Sequence, residues 1–166
     1  MKKGILLLTL FVLCGCTTSK KTSDASSTQL QNYRKTLKII ENTKSFYDYS
    51  KDFETKLVFS NMGKYYTYDL IVHDPKIKMY KISALAYSSA IKDQYHPSIG
   101  IFDEESYTMV PGYVNKKKGY VKGFDLSGRV YRKTAIQMSL TYYTNKKYTH
   151  KVTRVIEVKP WELINY

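Results

Sequence analysis

The chain has 166 residues, with 27 Lys and Arg against 14 Asp and Glu, a formal charge of +13, and 17 tyrosines. That length fits one ordinary domain with a real core, and a mere two cysteines exclude a disulfide-built scaffold. Rich use of tyrosine with threonine, valine and isoleucine favours strands.

Lys2 and Lys3 open the chain, and an apolar run follows from Gly4 to Leu13, broken by Thr9 alone. A helix needs roughly 20 apolar residues to cross the hydrocarbon layer, so a run of half that length has the size of a signal-peptide core. Leu13-Cys14-Gly15-Cys16 then resembles the lipobox of bacterial lipoproteins of the Gram-positive type. The resemblance implies diacylglyceryl transfer to the Cys16 thiol and cleavage just before it. Residues 1–15 are thus expected to act as signal peptide, and the protein to sit lipid-anchored on the extracytoplasmic face of the cell membrane. Both cysteines are consumed in this way, which leaves the mature domain without a thiol.

Residues 17–28 contain nothing large and apolar. They are expected, with the lipidated Cys16, to form a flexible tether (16–28) ahead of a single β-rich domain at 29–166. Ser26-x-x-Gln29 reads as a capping box. Beyond it Leu30, Tyr33, Leu37, Ile40 and Tyr47 recur at three- and four-residue steps, with Ile39 and Phe46 widening the stripe and Lys44 interrupting it. This pattern predicts an amphipathic helix over 28–46.

Strand texture begins near Glu54. Residues 56–60 form a first strand and Asn61-Met62-Gly63 a turn. Over 64–73, Tyr66, Tyr68, Leu70 and Val72 share one face until Asp74-Pro75 ends the run. Further strands are expected at 77–87, 98–102, 107–110 and 119–124, with a turn at 125–128. Residues 134–144 alternate, with Ile136, Met138, Leu140 and Tyr142 inward. Asn145-Lys146-Lys147 joins them to 148–158 as a hairpin. Seven or eight short strands predict a mainly β fold, an antiparallel sandwich or small barrel behind one helix; a helix-on-sheet α+β fold is the runner-up. The pattern looks like immunoglobulin-like bacterial surface domains.

Chemistry-bearing motifs are sparse. His73, His96 and His150 each stand alone, without zinc-ligand spacing. No nucleophile elbow and no phosphate-cradling glycine loop occurs, and Asp103-Glu104-Glu105 reads as a solvated loop. The expectation is therefore a non-enzymatic protein with no catalytic residue, metal or cofactor. Two basic turns stand out, Asn115-Lys116-Lys117-Lys118-Gly119-Tyr120 and Asn145-Lys146-Lys147-Tyr148. If they lie at one end of the fold, Lys116, Lys117, Lys118, Tyr120, Lys146, Lys147 and Tyr148 make a candidate binding patch.

Removal of Lys2 and Lys3 with the signal reduces the charge from +13 to +11, since residues 1–15 carry no acid. Outside the membrane that excess meets acidic proteins and envelope polyanions rather than nucleic acid. The leading expectation is a binding module for a partner protein. By analogy with small anchored lipoproteins, one form of it is an immunity protein that intercepts a secreted antibacterial toxin. A binder of teichoic-type polymers or anionic lipid is the second reading, and an unrecognised envelope hydrolase the third.

Overall fold

A computed structural model describes residues 20–103 and 106–160, with the α1 side chains from Ser27 onward. Cys16 and the signal segment lie outside the described residues. The fold is mainly β: one helix, α1 (Lys20–Glu41), precedes two mostly antiparallel sheets. The smaller sheet has the order β1-β2-β7, with β1 at Glu54–Asn61, β2 at Tyr66–His73 and β7 at Gly123–Val130. The larger has the order β6-β5-β3-β8-β9, with β4 also paired to β3. Its long strands are β3 (Met79–Tyr87), β8 (Ile136–Tyr143) and β9 (Lys151–Val158); β4 (Ser98–Ile99), β5 (Tyr107–Met109) and β6 (Tyr120–Val121) are short. Neither sheet closes on itself, so the barrel expectation fails.

Period-two alternation decides how the layers meet. On β8, Ile136, Met138, Leu140 and Tyr142 are fully buried, and they join Tyr68, Leu70 and Val72 of β2 and Phe124, Leu126 and Val130 of β7 in one core shared by both sheets. The opposite face of the larger sheet carries Leu85, Ser139 and Val155 in one cross-strand row. Tyr33, Leu37 and Ile40 of α1 pack on that row's apolar members with Ile101. Both faces of the larger sheet are therefore covered, the second one by the helix.

Several boundaries differ from the sequence expectation. α1 begins eight residues before 28, so Ser26 falls inside the helix instead of capping it. The helix also ends at Glu41, where Asn42 and Thr43 N–H groups bond back to Lys38 and Ile40 carbonyls and close the last turn. Ile39 points to solvent and Tyr47 lies beyond the helix, so neither belongs to the packed stripe. The expected strand at 119–124 is two strands, and residues 125–128 are not a turn: β7 runs straight through them, paired with β2 over its whole length. Gly128 stands there because the Tyr68 ring lies across its backbone. A Cβ at that position would meet Tyr68 ring atoms at 2.8 Å. The expected strand at 98–102 shrinks to Ser98–Ile99, and β3 carries a bulge where Lys81 adopts a φ of 49°.

Candidate functional site

The segment 42–53 carries the chain from the helix-covered face of the larger sheet, around the free edge of β9, into the core between the sheets. Tyr47 clips it to that edge, donating its N–H to the Val155 carbonyl at 3.3 Å and accepting from the Glu157 N–H at 2.9 Å. Phe53 ends the crossing as a fully buried side chain of the shared core.

Asp52 is the polar anchor of this crossing. It is 5% exposed, and its Oδ2 accepts from the Tyr142 hydroxyl at 2.6 Å and from Arg154 Nη2 at 2.7 Å and Nε at 3.0 Å. Its backbone carbonyl accepts the Lys76 N–H at 2.8 Å, and its N–H donates to Ser50 Oγ. Tyr142 and Arg154 occupy even-numbered positions of β8 and β9, the positions that face the smaller sheet. An arginine there requires a carboxylate, because an unpaired charge on a core face is strongly penalised. Burial alone would push the Asp52 carboxyl up. The Tyr142 hydroxyl and the Arg154 guanidinium outweigh it and hold the group below the usual carboxylate range. The same burial, together with the ionised Asp52, drives the Tyr142 phenol well above its ordinary value.

Beside this anchor the edges of β1 and β9 leave a groove. Its cavity of about 760 Å³ is lined by Tyr49, Phe53, Leu57, Glu157 and Val158, among others. A second hollow of about 270 Å³ continues it past Tyr47, Lys51 and Arg154. Tyr49 is 78% exposed and Tyr47 68%, so two aromatic rings stand at the rim over a floor fixed by the Asp52 anchor. β1 ends the order β1-β2-β7, so its outer side is a sheet edge along eight residues. Among the described residues no strand pairs with that edge; a strand edge beside an apolar trough, with aromatic rims, is the geometry that accepts an extended peptide as an added strand.

The basic residues singled out from sequence lie elsewhere. Lys116–Lys118 form a single 3-10 turn closed by Gly119 in the left-handed region. Tyr120 then begins β6 and meets Tyr113 edge-on at 5.1 Å between ring centres. Lys146 and Lys147 sit in the β8–β9 turn, where Tyr148 packs edge-on against Tyr143 and lies under the Lys81 ammonium at 5.5 Å. β5 and β3 stand between β6 and β8 in the sheet, so the two basic turns belong to strands three places apart. The structure joins Tyr148 to Lys81, a pairing the sequence does not suggest.

Comparison with protein-family models, with curated proteins and with solved structures finds no match to this chain. The site therefore has to be read from its own geometry. Among the described residues no group of three or more His, Cys, Asp or Glu side chains is placed to hold a metal ion, and no helix is long and apolar enough to cross a membrane. His96 is half-buried against the Tyr87 ring, and Asp103 accepts the Gly100 N–H, fixing the loop after β4. Glu104 and Glu105 lie outside the described residues. Sequence reading overlooked Tyr49, Asp52 and Arg154, and it put Tyr47 on the helix instead of at this edge. One usable signal was present: Arg154 interrupts the apolar face of Val152, Ile156 and Val158, and a charge at an inward position implies a buried partner.

Proposed function

We propose that this protein is a membrane-anchored, extracytoplasmic binding module, and that the β1–β9 groove takes an extended segment of a partner protein. The observation that carries the reading is the groove itself: a strand edge left open among the described residues, an apolar trough and two exposed tyrosines, on a frame locked by Asp52, Tyr142 and Arg154. Tyrosines supply large contact area at low entropic cost, which suits a recognition rim. Acids and lysines alternate around the groove (Asp48, Glu54 and Glu157 with Lys51, Lys56 and Lys159), so local charge does not select the partner. The net charge of +11 instead favours encounter with acidic proteins at long range. Two facing antiparallel sheets support the likening to immunoglobulin-like surface domains, and the Cys16 lipobox supports the anchor. An immunity protein against a secreted toxin is one form of such a module.

The test uses the mature chain with Cys16→Ala, immobilised and exposed to proteins secreted by the same cells. The expected result is one-to-one retention that persists in high salt and is lost in Tyr49→Ala and in Thr55→Pro, which removes an outward-facing N–H of the strand edge. Retention unaffected by both substitutions overturns the groove as the site. Mass spectrometry of the native protein checks the anchor: a diacylglyceryl-modified Cys16 at the N-terminus is expected, and an unmodified N-terminus rejects it.

A further inference from the structure

The edge of the larger sheet opposite the groove carries a surface of a different kind. β4 and β5 both pair with the side of β3 that faces away from β8, and β6 ends the sheet on that side. Residues 110–120 fold along this edge as two linked turns. The Tyr113 N–H donates to the Val110 carbonyl at 3.1 Å, and Asn115 and Tyr120 exchange N–H bonds to each other's carbonyls at 2.9 and 3.0 Å. Between those bonds Lys116–Lys118 make their 3-10 turn. Gly119 closes it against the neighbouring backbone, where a Cβ would meet the Ser106 carbonyl oxygen at 2.7 Å, and its own carbonyl accepts the Thr108 N–H. The result is a fixed platform that exposes Tyr113 at 45%, Val114 at 50% and all three lysines. From Ser106 to Phe124 the chain has four lysines and no acid. No acid among the described residues pairs with Lys116, Lys117 or Lys118. Of the acids just upstream, Asp103 turns back to the Gly100 N–H at 2.5 Å, and Glu104 and Glu105 lie outside the described residues.

The helix starts on the same side. The N-terminal half of α1 lies over the loop after β4: Gln29 Nε2 donates to the Phe102 carbonyl at 3.2 Å, and the Tyr33 and Phe102 rings meet at 5.5 Å between centres. Four residues of chain, at most about 14 Å, lead from Phe102 to Ser106, on which the lysine turn is seated. Beyond the other end of α1 the chain reaches the opposite edge, where Tyr47 pairs with β9. α1 has 22 residues and a length of about 33 Å, so it crosses the larger sheet from the β5–β6 side toward the groove. Only residues 17–19 stand between Cys16 and the start of α1 at Lys20. A lipid on Cys16 therefore holds the β6 side toward the bilayer and leaves the groove facing away from it. An anionic bilayer answers both halves of this surface. Ammonium groups on long apolar stems reach phosphate at headgroup depth, each lysine contributing about fivefold in affinity. Val114 gains by leaving water for the acyl boundary, and tyrosine favours that interface. A phosphate polymer in water would engage the lysines and leave Val114 wet. We propose that the β6 edge, with Tyr113, Val114 and Lys116–Lys118, is a docking face for an anionic lipid bilayer. The proposal rests on the anchored-module reading for its orientation, and it assigns the groove to the side open to partners.

The test uses the mature Cys16→Ala protein and vesicles of equal parts phosphatidylglycerol and phosphatidylcholine. Binding is expected, weakening about tenfold between roughly 0.05 and 0.3 M salt and lost on phosphatidylcholine alone. Lys116→Gln with Lys117→Gln should weaken it about twentyfold. Lys146→Gln with Lys147→Gln, which removes the same charge from the β8–β9 turn, should change it less than about threefold. Lys116→Arg with Lys117→Arg should retain binding, and Val114→Ser should weaken it about fivefold. This protein has no thiol of its own, so a polarity-sensitive dye on Val114→Cys reads contact directly. Its emission should shift to the blue on the vesicles, and the same dye on Tyr49→Cys should not shift. Failure to bind the mixed vesicles overturns the face, as does an unshifted dye at position 114 on bound vesicles. Equal losses from the two lysine pairs reduce the effect to net charge and overturn it too. Tighter binding to poly(glycerol phosphate) or to poly-glutamate than to the vesicles overturns the assignment to lipid. None of these measurements needs a lipid on Cys16, so their failure leaves the anchored-module reading standing. An unmodified native N-terminus would instead reject the anchor and leave the vesicle affinity as measured.

Discussion

Asp52 and Arg154, 102 residues apart in sequence, meet at 2.7 Å where the chain crosses from the helix layer to the space between the sheets. The pair ties the 42–53 segment to β9, and Tyr142 adds β8 to the same oxygen. Removing one partner leaves the other charge poorly solvated. Arg154→Met should destabilise the fold by about 2–3 kcal/mol, below the full range for buried pairs because the Arg154 side chain is one-third exposed. A cycle with Asp52→Asn should show coupling of about 1–2 kcal/mol in urea unfolding. Additive effects would mean that the ion pair does not hold the segment.

The pH dependence follows from the same carboxyl. Its folded pKa lies below the ordinary value, so its stabilisation is complete above the unfolded carboxylate range near pH 4 and decays as pH falls through the folded value. The stability gap between the native protein and Asp52→Asn should therefore be constant from neutral pH down to about pH 5 and shrink on further acidification. Chemical denaturation at a series of pH values measures it. A gap that widens with acid contradicts the ion-pair account.

Gly128 and Tyr68 make a second long-range test. Gly128→Ala places a methyl group into the Tyr68 ring, and such overpacking costs about 1–3 kcal/mol. The Tyr68 hydroxyl is itself buried without a hydrogen-bond partner among the described residues, and burial raises its pKa. Tyr68→Phe should accordingly be neutral or stabilising by up to about 1 kcal/mol, because it removes an unsatisfied polar group. A large loss of stability in Tyr68→Phe would reveal a partner for that hydroxyl.

Helix docking should respond to pH in the weakly acidic range. The Tyr33 hydroxyl accepts the His96 backbone N–H at 2.8 Å, and burial of the imidazole lowers the His96 pKa, with Glu41 opposing in part. A depressed histidine stays neutral in the fold while the unfolded chain takes up a proton near pH 6.5, so stability falls as pH drops below that value. His96→Leu should flatten this slope, and Tyr33→Phe should cost about 1 kcal/mol by leaving the His96 N–H unpaired. Hydrogen exchange of α1 amides at pH 5.5 and 7.5 resolves both. Protection that does not depend on pH would exclude His96 as the cause.

Much of this architecture is local and was legible in the residues. The alternation of Ile136, Met138, Leu140 and Tyr142 fixed β8 and its inward face, and Tyr66 to Val72 did the same for β2, because a period of two leaves a strand little choice of face. Tyr33, Leu37 and Ile40 likewise marked the packed side of α1. The cross-strand partners were not legible. Gly128 looked like a turn until Tyr68 supplied the ring that excludes a side chain. Nothing in the sequence draws Lys92 and Arg129 to Tyr65, and sheet register sets both beside its ring. The lysine turns, conspicuous in sequence, were dealt to strands three places apart. Pairing distant strands is a choice among registers made by the whole core, and the groove beside Asp52, with the cluster around Tyr65, exists only once that choice is made.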